Sequence, residues 1–134
     1  MIIRKAQPSD ADTVLKYDRH ISPKELQNSI NLGRVYIVQS DETFVGWLRY
    51  NMFWDNTPFM NMLYILDNFR HCGAGTKLTQ TWENEMKALG FNLVMTSTVK
   101  EETAKYFYKK LGYCTVGSFT LPGDSEEIIM CKKI

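Results

Sequence analysis

The sequence predicts an α/β (α+β) fold in a single domain over residues 1–134, with a mixed central sheet of about seven strands and about four helices. Three observations carry this prediction. The length, 134 residues, is that of one typical domain. Short runs rich in β-branched and aromatic residues alternate with segments whose apolar residues recur at helical spacing. Turn-forming glycine and proline separate these segments, and the resulting order is β-α-α-β-β-β-α-β-α-β-β.

The amino-terminal part is predicted to hold a strand and two helices. Residues 1–5 form the strand, Pro8 ends it, and Ser9 and Asp10 can cap the first helix. The second helix begins at residues 22–25, where serine and glutamate make a capping box with proline at the first helical position.

Three strands are predicted next. Residues 35–38 and 44–50 are β-rich runs on either side of a short polar tip, which indicates an antiparallel hairpin. A turn follows at residues 54–58. Residues 59–66 then form an apolar run of strand length that suits a central position in the sheet.

The carboxyl-terminal half is predicted to contain two helices and three strands. Apolar residues at helical spacing mark the helices: Leu78, Trp82, Met86 and Leu89 in the third, and Ala104, Phe107, Tyr108 and Leu111 in the fourth. Gly90 and Gly112 follow them, at the position where helices commonly stop. The strands are residues 93–95, 113–119 and 127–131, and a turn joins the last two.

Composition and charge exclude several classes of function. The formal net charge is +1 and no run of five basic residues occurs, so neither nucleic acid nor a membrane is an expected partner. No apolar stretch approaches the ~18 residues of a membrane span, and the first residues lack a signal-peptide pattern. The three cysteines cannot all pair and lack metal-ligand spacing, which favours a reducing, cytoplasmic compartment. His20 and His71 are too few for a site, so no metal is expected.

The strongest candidate site follows the strand at residues 59–66. The segment Arg70-His71-Cys72-Gly73-Ala74-Gly75-Thr76 leads into the long third helix, where unpaired backbone N–H groups and the positive end of a helix dipole coincide. The two glycines permit close approach of a phosphate, and Arg70 suits bidentate contacts with phosphate oxygens. A plain tight turn is the alternative interpretation. The Walker and dinucleotide-binding patterns do not fit, because Thr76-Lys77 reverses the Walker order and Leu78 stands where a third glycine is required.

Two segments resemble motifs of the GNAT superfamily of N-acetyltransferases. The segment Arg70-His71-Cys72-Gly73-Ala74-Gly75 resembles the R/Q-x-x-G-x-G/A loop that binds acetyl-CoA in that family. Residues 104–113, with the sequence AKYFYKKLGY, are similar to the late A-x-x-F-Y-x-K-L-G-F/Y segment. Val45-Gly46 and the order of elements also agree, so the resemblance covers nearly the whole chain.

The resemblance implies that acetyl-CoA is the cosubstrate. Backbone groups of Tyr64, Ile65 and Leu66 would pair with its pantetheine arm as though it were an added strand. The loop would hold its pyrophosphate through Arg70, His71, Cys72, Gly73, Ala74, Gly75 and Thr76. In family members the fourth and fifth strands splay apart to admit the thioester.

The resemblance also makes Tyr108 the candidate catalytic residue, because the matching tyrosine commonly directs its hydroxyl at the sulfur as a general acid. Core packing is the alternative, since Phe107 and Tyr108 continue an apolar helical stripe. No general base is assigned: residues 59–66 contain no carboxylate, and Asp55 and Asp67 are as readily explained as solvated turn residues. Glu101 replaces an asparagine frequent in the family, so a cosubstrate contact from that position is in doubt.

The expected acceptor is a primary amine of a small molecule. Two alternatives stay open: transfer to an amine of a peptide or protein, and a catalytically idle acyl-CoA-binding regulatory module. Several aromatic residues could wall an acceptor pocket, although core packing explains some of them equally well: Tyr17, Trp47, Tyr50, Phe53 and Trp54. Dimerisation is common in the family, so a homodimer is also open, without an assigned interface.

Overall fold

The computed structural model describes all residues from 1 to 134. It contains seven strands and four α-helices in the predicted order. The strands are β1 (Ile2–Lys5), β2 (Val35–Ser40), β3 (Thr43–Phe53), β4 (Thr57–Ile65), β5 (Leu93–Val99), β6 (Cys114–Phe119) and β7 (Glu127–Lys133). The helices are α1 (Ala11–Tyr17), α2 (Pro23–Asn31), α3 (Ala74–Ala88) and α4 (Ala104–Lys110). None of the helices combines the length and the apolar character that crossing a membrane requires.

The strands form one mixed sheet in the order β1-β2-β3-β4-β5-β7-β6, which confirms the predicted seven-stranded mixed sheet. Strands β4 and β5 run parallel and pair Phe59 with Met95 and Met60 with Thr96. The pairs β1–β2, β2–β3, β5–β7 and β6–β7 are antiparallel. A parallel pair inside an otherwise antiparallel sheet requires a crossover, and helix α3 lies in the connection between β4 and β5.

Several details differ from the sequence prediction. Strands β2, β3 and β7 extend past residues 38, 50 and 131, and β4 begins at Thr57, inside the predicted turn at residues 54–58. Asp10 does not cap α1; its carboxylate accepts a hydrogen bond from the Gln7 N–H at 2.7 Å and pairs with Arg4 at 2.8 Å. Strand β5 extends past residue 95 to Val99. The prediction stopped short because Thr96 and Thr98, which are polar, occupy inward positions that apolar residues usually fill. Threonine is β-branched and suits a strand, but its hydroxyl hides the apolar pattern. Ser22 does cap α2, accepting from the Glu25 N–H at 3.2 Å.

The chain divides into two compact units: Met1–Asn51 with Met62–Trp82, and Met52–Asn61 with Glu83–Ile134. The first unit has an apolar core made by Ala6, Val14, Leu26, Ile30, Val35, Ile37 and Trp47. Helices and strands that the sequence predicts carry most of them, including Val14, Leu26, Val35, Ile37 and Trp47.

A buried ion pair lies beside this core in the first unit. Asp18, just after α1, accepts from Arg49 Nε at 2.7 Å, from Trp47 Nε1 at 3.1 Å and from the His20 N–H at 3.1 Å. Burial alone would raise the pKa of Asp18, but these hydrogen bonds and the charge of Arg49 outweigh it and hold the pKa below its ordinary value. The carboxylate is therefore ionised and satisfied, and it ties the end of α1 to β3.

The second unit contains a buried carboxylate of its own. Glu83 accepts from the hydroxyl of Tyr113 at 2.7 Å and from Lys132 Nζ at 2.8 Å. Burial and the adjacent carboxylate raise the pKa of Tyr113, so its hydroxyl stays protonated and donates. This triad connects α3, the segment before β6 and strand β7.

Candidate functional site

The loop before α3 leads into a helix whose first backbone N–H groups have no helical acceptor. Gly73 has φ +84°, a left-handed conformation that favours glycine, and His71 has φ +62°. The first helical hydrogen bond runs from the Lys77 N–H to the Gly73 carbonyl at 3.0 Å. The N–H groups of residues 74–76 therefore have no acceptor within the helix. Ala74 is buried, whereas the other residues from 70 to 76 are half-buried or exposed.

Arg70 is engaged with its own neighbours. Its Nε donates to the Ile65 carbonyl at 2.9 Å, its Nη2 pairs with Asp67 at 3.3 Å, and its guanidinium lies 4.9 Å from the centre of the Tyr64 ring. The edge of the guanidinium formed by Nε and Nη2 is thus already bonded to groups of the chain itself. Arg70 therefore connects the loop to the end of β4.

The residues between Arg70 and Gly73 are exposed. The Cys72 thiol donates to the Phe69 carbonyl at 2.7 Å and is exposed. His71 is exposed as well. No group of three or more His, Cys, Asp or Glu side chains in the chain could hold a metal ion.

The contacts at the end of β4 show which edge of the strand the backbone groups of residues 64–66 face. The Leu66 N–H donates to the Val45 carbonyl at 2.8 Å, and the Tyr64 carbonyl lies against Gly46. Tyr64 and Leu66 therefore turn their backbone groups towards β3. Successive residues of a strand direct these groups to alternate edges, so Ile65 faces the edge away from β3.

The sequence prediction did not include Leu63, whose backbone groups the two-residue period of β4 directs to the same edge as those of Ile65. The same alternation, counted two residues back from Ile65, places its N–H and carbonyl beside those of Ile65. The only available signal was the two-residue period of a strand. The period could not be used without the register, and the register depends on how β4 pairs with β3.

Tyr108 lies on α4 and is 7% exposed. Its ring packs edge-on against Tyr113 at 5.5 Å and Phe107 at 5.3 Å between ring centres. Burial raises the pKa of Tyr108 to about 12. The hydroxyl therefore keeps its proton throughout the neutral range and can act as a hydrogen-bond donor.

The aromatic residues predicted to wall a pocket separate into different groups. In the first unit Tyr17 meets Trp47, with 6.2 Å between ring centres, but Tyr50 packs against Tyr36 and Trp82 in the core. Residues 47 and 50 are an odd number of positions apart on β3, so their side chains lie on opposite faces of the sheet. In the second unit Phe53 and Trp54 contact each other at 4.7 Å.

The two carboxylates considered as bases sit in turns. The side chain of Asp67 is 81% exposed and paired with Arg70. Asp55 is an exposed residue of the β3–β4 turn with φ +65°. Both features are typical of turn residues, since Asp tolerates the left-handed region and is readily solvated.

Comparison with known proteins gives one family and a consistent fold. The model of the acetyltransferase (GNAT) family matches residues 4–113. A search of curated protein sequences finds no significant match. Solved structures, in contrast, match along almost the entire chain.

Three of these structures illustrate the range of proteins that share the fold. The PaiA N-acetyltransferase of Thermoplasma acidophilum, in complex with coenzyme A, has a TM-score of 0.84 and 20% identity, covering 99% of this chain and 98% of that chain. The ribosomal-protein-S18-alanine N-acetyltransferase of Escherichia coli has a TM-score of 0.83 and 14% identity, covering 99% and 93%. Naa20 of Chaetomium thermophilum, in complex with a bisubstrate analogue, has a TM-score of 0.86 and 13% identity, covering 100% and 87%. At these identities the matches show a shared fold.

Proposed function

The chain belongs to the GNAT acetyltransferase family, and on that premise we propose that it moves the acetyl group of acetyl-CoA to a primary amine of a small molecule. One observation carries the proposal. The glycine at φ +84° precedes the fifteen-residue helix α3, and the N–H groups of residues 74–76 at its start have no acceptor within the helix. Such a helix start is a ready site for a pyrophosphate.

The residues present fit coenzyme A. When bound, acetyl-CoA supplies an activated acetyl thioester. The amides of residues 74–76 would hold the pyrophosphate. The backbone groups of Leu63 and the N–H of Ile65 would pair with the pantetheine arm, since the Ile65 carbonyl already accepts from Arg70 Nε at 2.9 Å. This assignment replaces the backbone groups of Tyr64 and Leu66, which face β3. The Leu66 carbonyl is also used, since it accepts from the Phe69 N–H at 2.9 Å.

Tyr108 is proposed to hold a proton at its hydroxyl for the leaving sulfur. With its pKa at about 12, complete transfer to a thiolate of pKa about 8.5 would be uphill by about 5 kcal/mol. A hydrogen bond to the developing charge on sulfur avoids most of that cost. We therefore propose that Tyr108 stabilises the departing sulfur first and completes proton transfer late, while the solvent takes the proton that the amine loses.

The attacking amine has to be neutral. An alkyl ammonium of pKa about 10.4 loses its proton at pH 7 at a cost of about 4 to 5 kcal/mol. No carboxylate lies within residues 57–65 of β4, and Asp55 and Asp67 are turn residues. We propose that water, rather than a dedicated side chain, removes this proton.

Acceptor class is the least constrained part of the proposal. One of the similar structures is named for a ribosomal-protein acceptor, and another is in complex with a bisubstrate analogue. They share only 14% and 13% identity with this chain. A peptide acceptor is therefore the second candidate. An idle acyl-CoA-binding module is the third, because no side chain here is an evident base.

A thiol-release assay decides between these candidates. Purified protein is incubated with acetyl-CoA and, in turn, spermidine, lysine amide, kanamycin and peptides that begin with alanine or methionine. Turnover with a small amine supports the proposal, and turnover with peptides alone supports the second candidate. Binding of coenzyme A without turnover across the panel supports the idle module.

Three wider features stay proposals. A single domain over residues 1–134 is supported by structural matches that cover 99–100% of this chain. A homodimer is testable by light scattering coupled to gel filtration. A reducing, cytoplasmic location is supported by three free cysteines, of which Cys72 and Cys114 are exposed.

A further inference from the structure

Two of the three cysteines face each other across neighbouring strands. Strand β6 pairs with β7 in antiparallel orientation, and Cys114 is the direct partner of Cys131 in that register. Both are free thiols; Cys114 is exposed and Cys131 is half-buried. Side chains at directly opposite positions of an antiparallel pair point to the same face of the sheet. The two thiols are therefore neighbours, although the turn between β6 and β7 separates them in the sequence.

The spacing of the two backbones at this pair suits a disulfide. Directly opposite residues of antiparallel strands have Cα atoms about 4.5 or 5.5 Å apart, depending on whether the pair exchanges hydrogen bonds. Both values lie within the range of about 4.4 to 6.8 Å that disulfides span. The register shifts between Thr115 and Gly117, which marks a bulge at Val116. Pairing is regular again at Thr115 with Met130 and then at the two cysteines, so the bulge leaves them in register.

Strand β6 is held on one side only. It forms the edge of the sheet with β7 as its single neighbour, and all of its residues are exposed. Cys114 is the first of these residues. A segment with little buried apolar surface opens locally at a low cost in free energy. A covalent bond to β7 at Cys114 would hold the start of the strand and fix the register on that side of the bulge.

We propose that Cys114 and Cys131 are a site of reversible oxidation and form a cross-strand disulfide when a low-molecular-weight disulfide, such as oxidised glutathione, is in excess. The thiolate of the exposed Cys114 attacks one sulfur of the oxidant, whose S–S bond breaks, and the first glutathione leaves. The Cys131 thiolate then attacks the Cys114 sulfur and displaces the second glutathione. Each departing thiolate takes up the proton that the attacking cysteine released. Two cysteine thiols are thus oxidised by two electrons, and one glutathione disulfide is reduced to two thiols.

Mass spectrometry of the full chain with Cys72→Ser, which leaves only the proposed pair, tests the bond. After incubation with oxidised glutathione, the intact mass should fall by two hydrogen atoms and no glutathione should be attached. The matched control adds Cys131→Ser. In that control Cys114 should keep one glutathione, because no second thiol can displace it.

Peptide mapping locates the bond. Trypsin alone leaves both cysteines in one peptide, because residues 111–131 contain no lysine or arginine. A glutamate-specific protease is therefore added to cut at Glu126 and Glu127, between the two cysteines. The two fragments should stay joined until dithiothreitol is added.

Thermal unfolding shows whether the bond fits the native hairpin. The oxidised Cys72→Ser protein should melt at least about 3 °C above its reduced form, and dithiothreitol should remove the difference. The control with Cys131→Ser should show no such rise, because it has no internal bond to form.

Glutathione retained on Cys114 in the Cys72→Ser protein, without an internal bond, would overturn the proposal. So would a disulfide between two chains on a non-reducing gel in place of the internal one. A bond that forms only in urea, or a lower melting temperature on oxidation, would show that the folded hairpin does not hold the two sulfurs in position, and would overturn it equally. These measurements involve neither an amine nor coenzyme A, so their outcome is independent of the proposed acetyl transfer.

Discussion

The carbonyl oxygen of Tyr64 occupies the space that a side chain on Gly46 would need. A methyl group at Gly46 would overlap that oxygen and approach Ile65 Cδ1 to 2.8 Å. Because the obstacle is backbone, it cannot be relieved by a side-chain rotation. Glycine at this position therefore lets the end of β4 lie close to β3, with Ile65 turned to the opposite edge.

Gly46→Ala is expected to displace the end of β4. The overpacked strand should lose about 1–3 kcal/mol in the free energy of unfolding, and affinity for coenzyme A should fall by at least about 10-fold because the arm-binding edge moves. Denaturant unfolding and calorimetry measure the two effects. Gly117→Ala is the control, since nothing lies within 4 Å of an added methyl group there. A Gly46→Ala protein with wild-type affinity would contradict the assignment of this edge.

Tyr108→Phe should lower kcat by about 10- to 1000-fold with little change in affinity for acetyl-CoA, because the hydroxyl acts mainly in the transition state. Steady-state kinetics and calorimetry provide the two values. Tyr106→Phe on the same helix, where the residue is 56% exposed, should leave kcat within about 2-fold. Unchanged turnover in Tyr108→Phe would reduce Tyr108 to a packing residue.

The pH dependence of kcat follows from the raised pKa of Tyr108. A phenol with a pKa of about 12 stays protonated, and hence able to donate, at every pH where the protein is assayed. The rate should rise as the amine loses its proton and show no falling limb up to about pH 10. A descending limb below that pH that vanishes in Tyr108→Phe would show that the phenol ionises far more easily than its burial implies.

Asp18→Asn should destabilise the first unit by about 3 kcal/mol, because Arg49 is left buried without its counter-charge. The pKa of Asp18 is lowered in the folded protein, so its contribution is complete above the unfolded pKa and disappears as the pH falls through the lower folded value. The stability gap between wild type and variant should therefore close below about pH 4.

Urea unfolding at pH 7 and at successively lower pH measures this gap. Asp12→Asn, at an exposed position of α1, should cost less than about 1 kcal/mol. A gap for Asp18→Asn that stays constant down to pH 3 would mean that the charge of Asp18 is not what stabilises the pair.

The element order was predictable because local chemistry specifies it. Gly90 and Gly112, with φ of +99° and +101°, end α3 and α4 as their positions after the helical stripes predict. Ser22 caps α2 for the same kind of local reason. Such signals need no knowledge of the rest of the chain.

Other parts of the site depend on pairings between distant residues. Which of Leu63, Tyr64, Ile65 and Leu66 present their backbone to an added strand is set by the bond from Leu66 to Val45, and a single sequence does not encode that register.

Calorimetric titration with coenzyme A tests the central claim most directly, namely that the amides after Gly73 hold its pyrophosphate. The wild type should bind with a dissociation constant between about 1 μM and 1 mM. Gly73→Ala should bind at least about 10-fold more weakly, because alanine resists the φ of +84° at the binding loop. Gly90→Ala imposes a comparable strain at the far end of α3 and should bind like the wild type. A wild-type protein with no measurable affinity, or a Gly73→Ala protein that binds as tightly as Gly90→Ala, would contradict the claim.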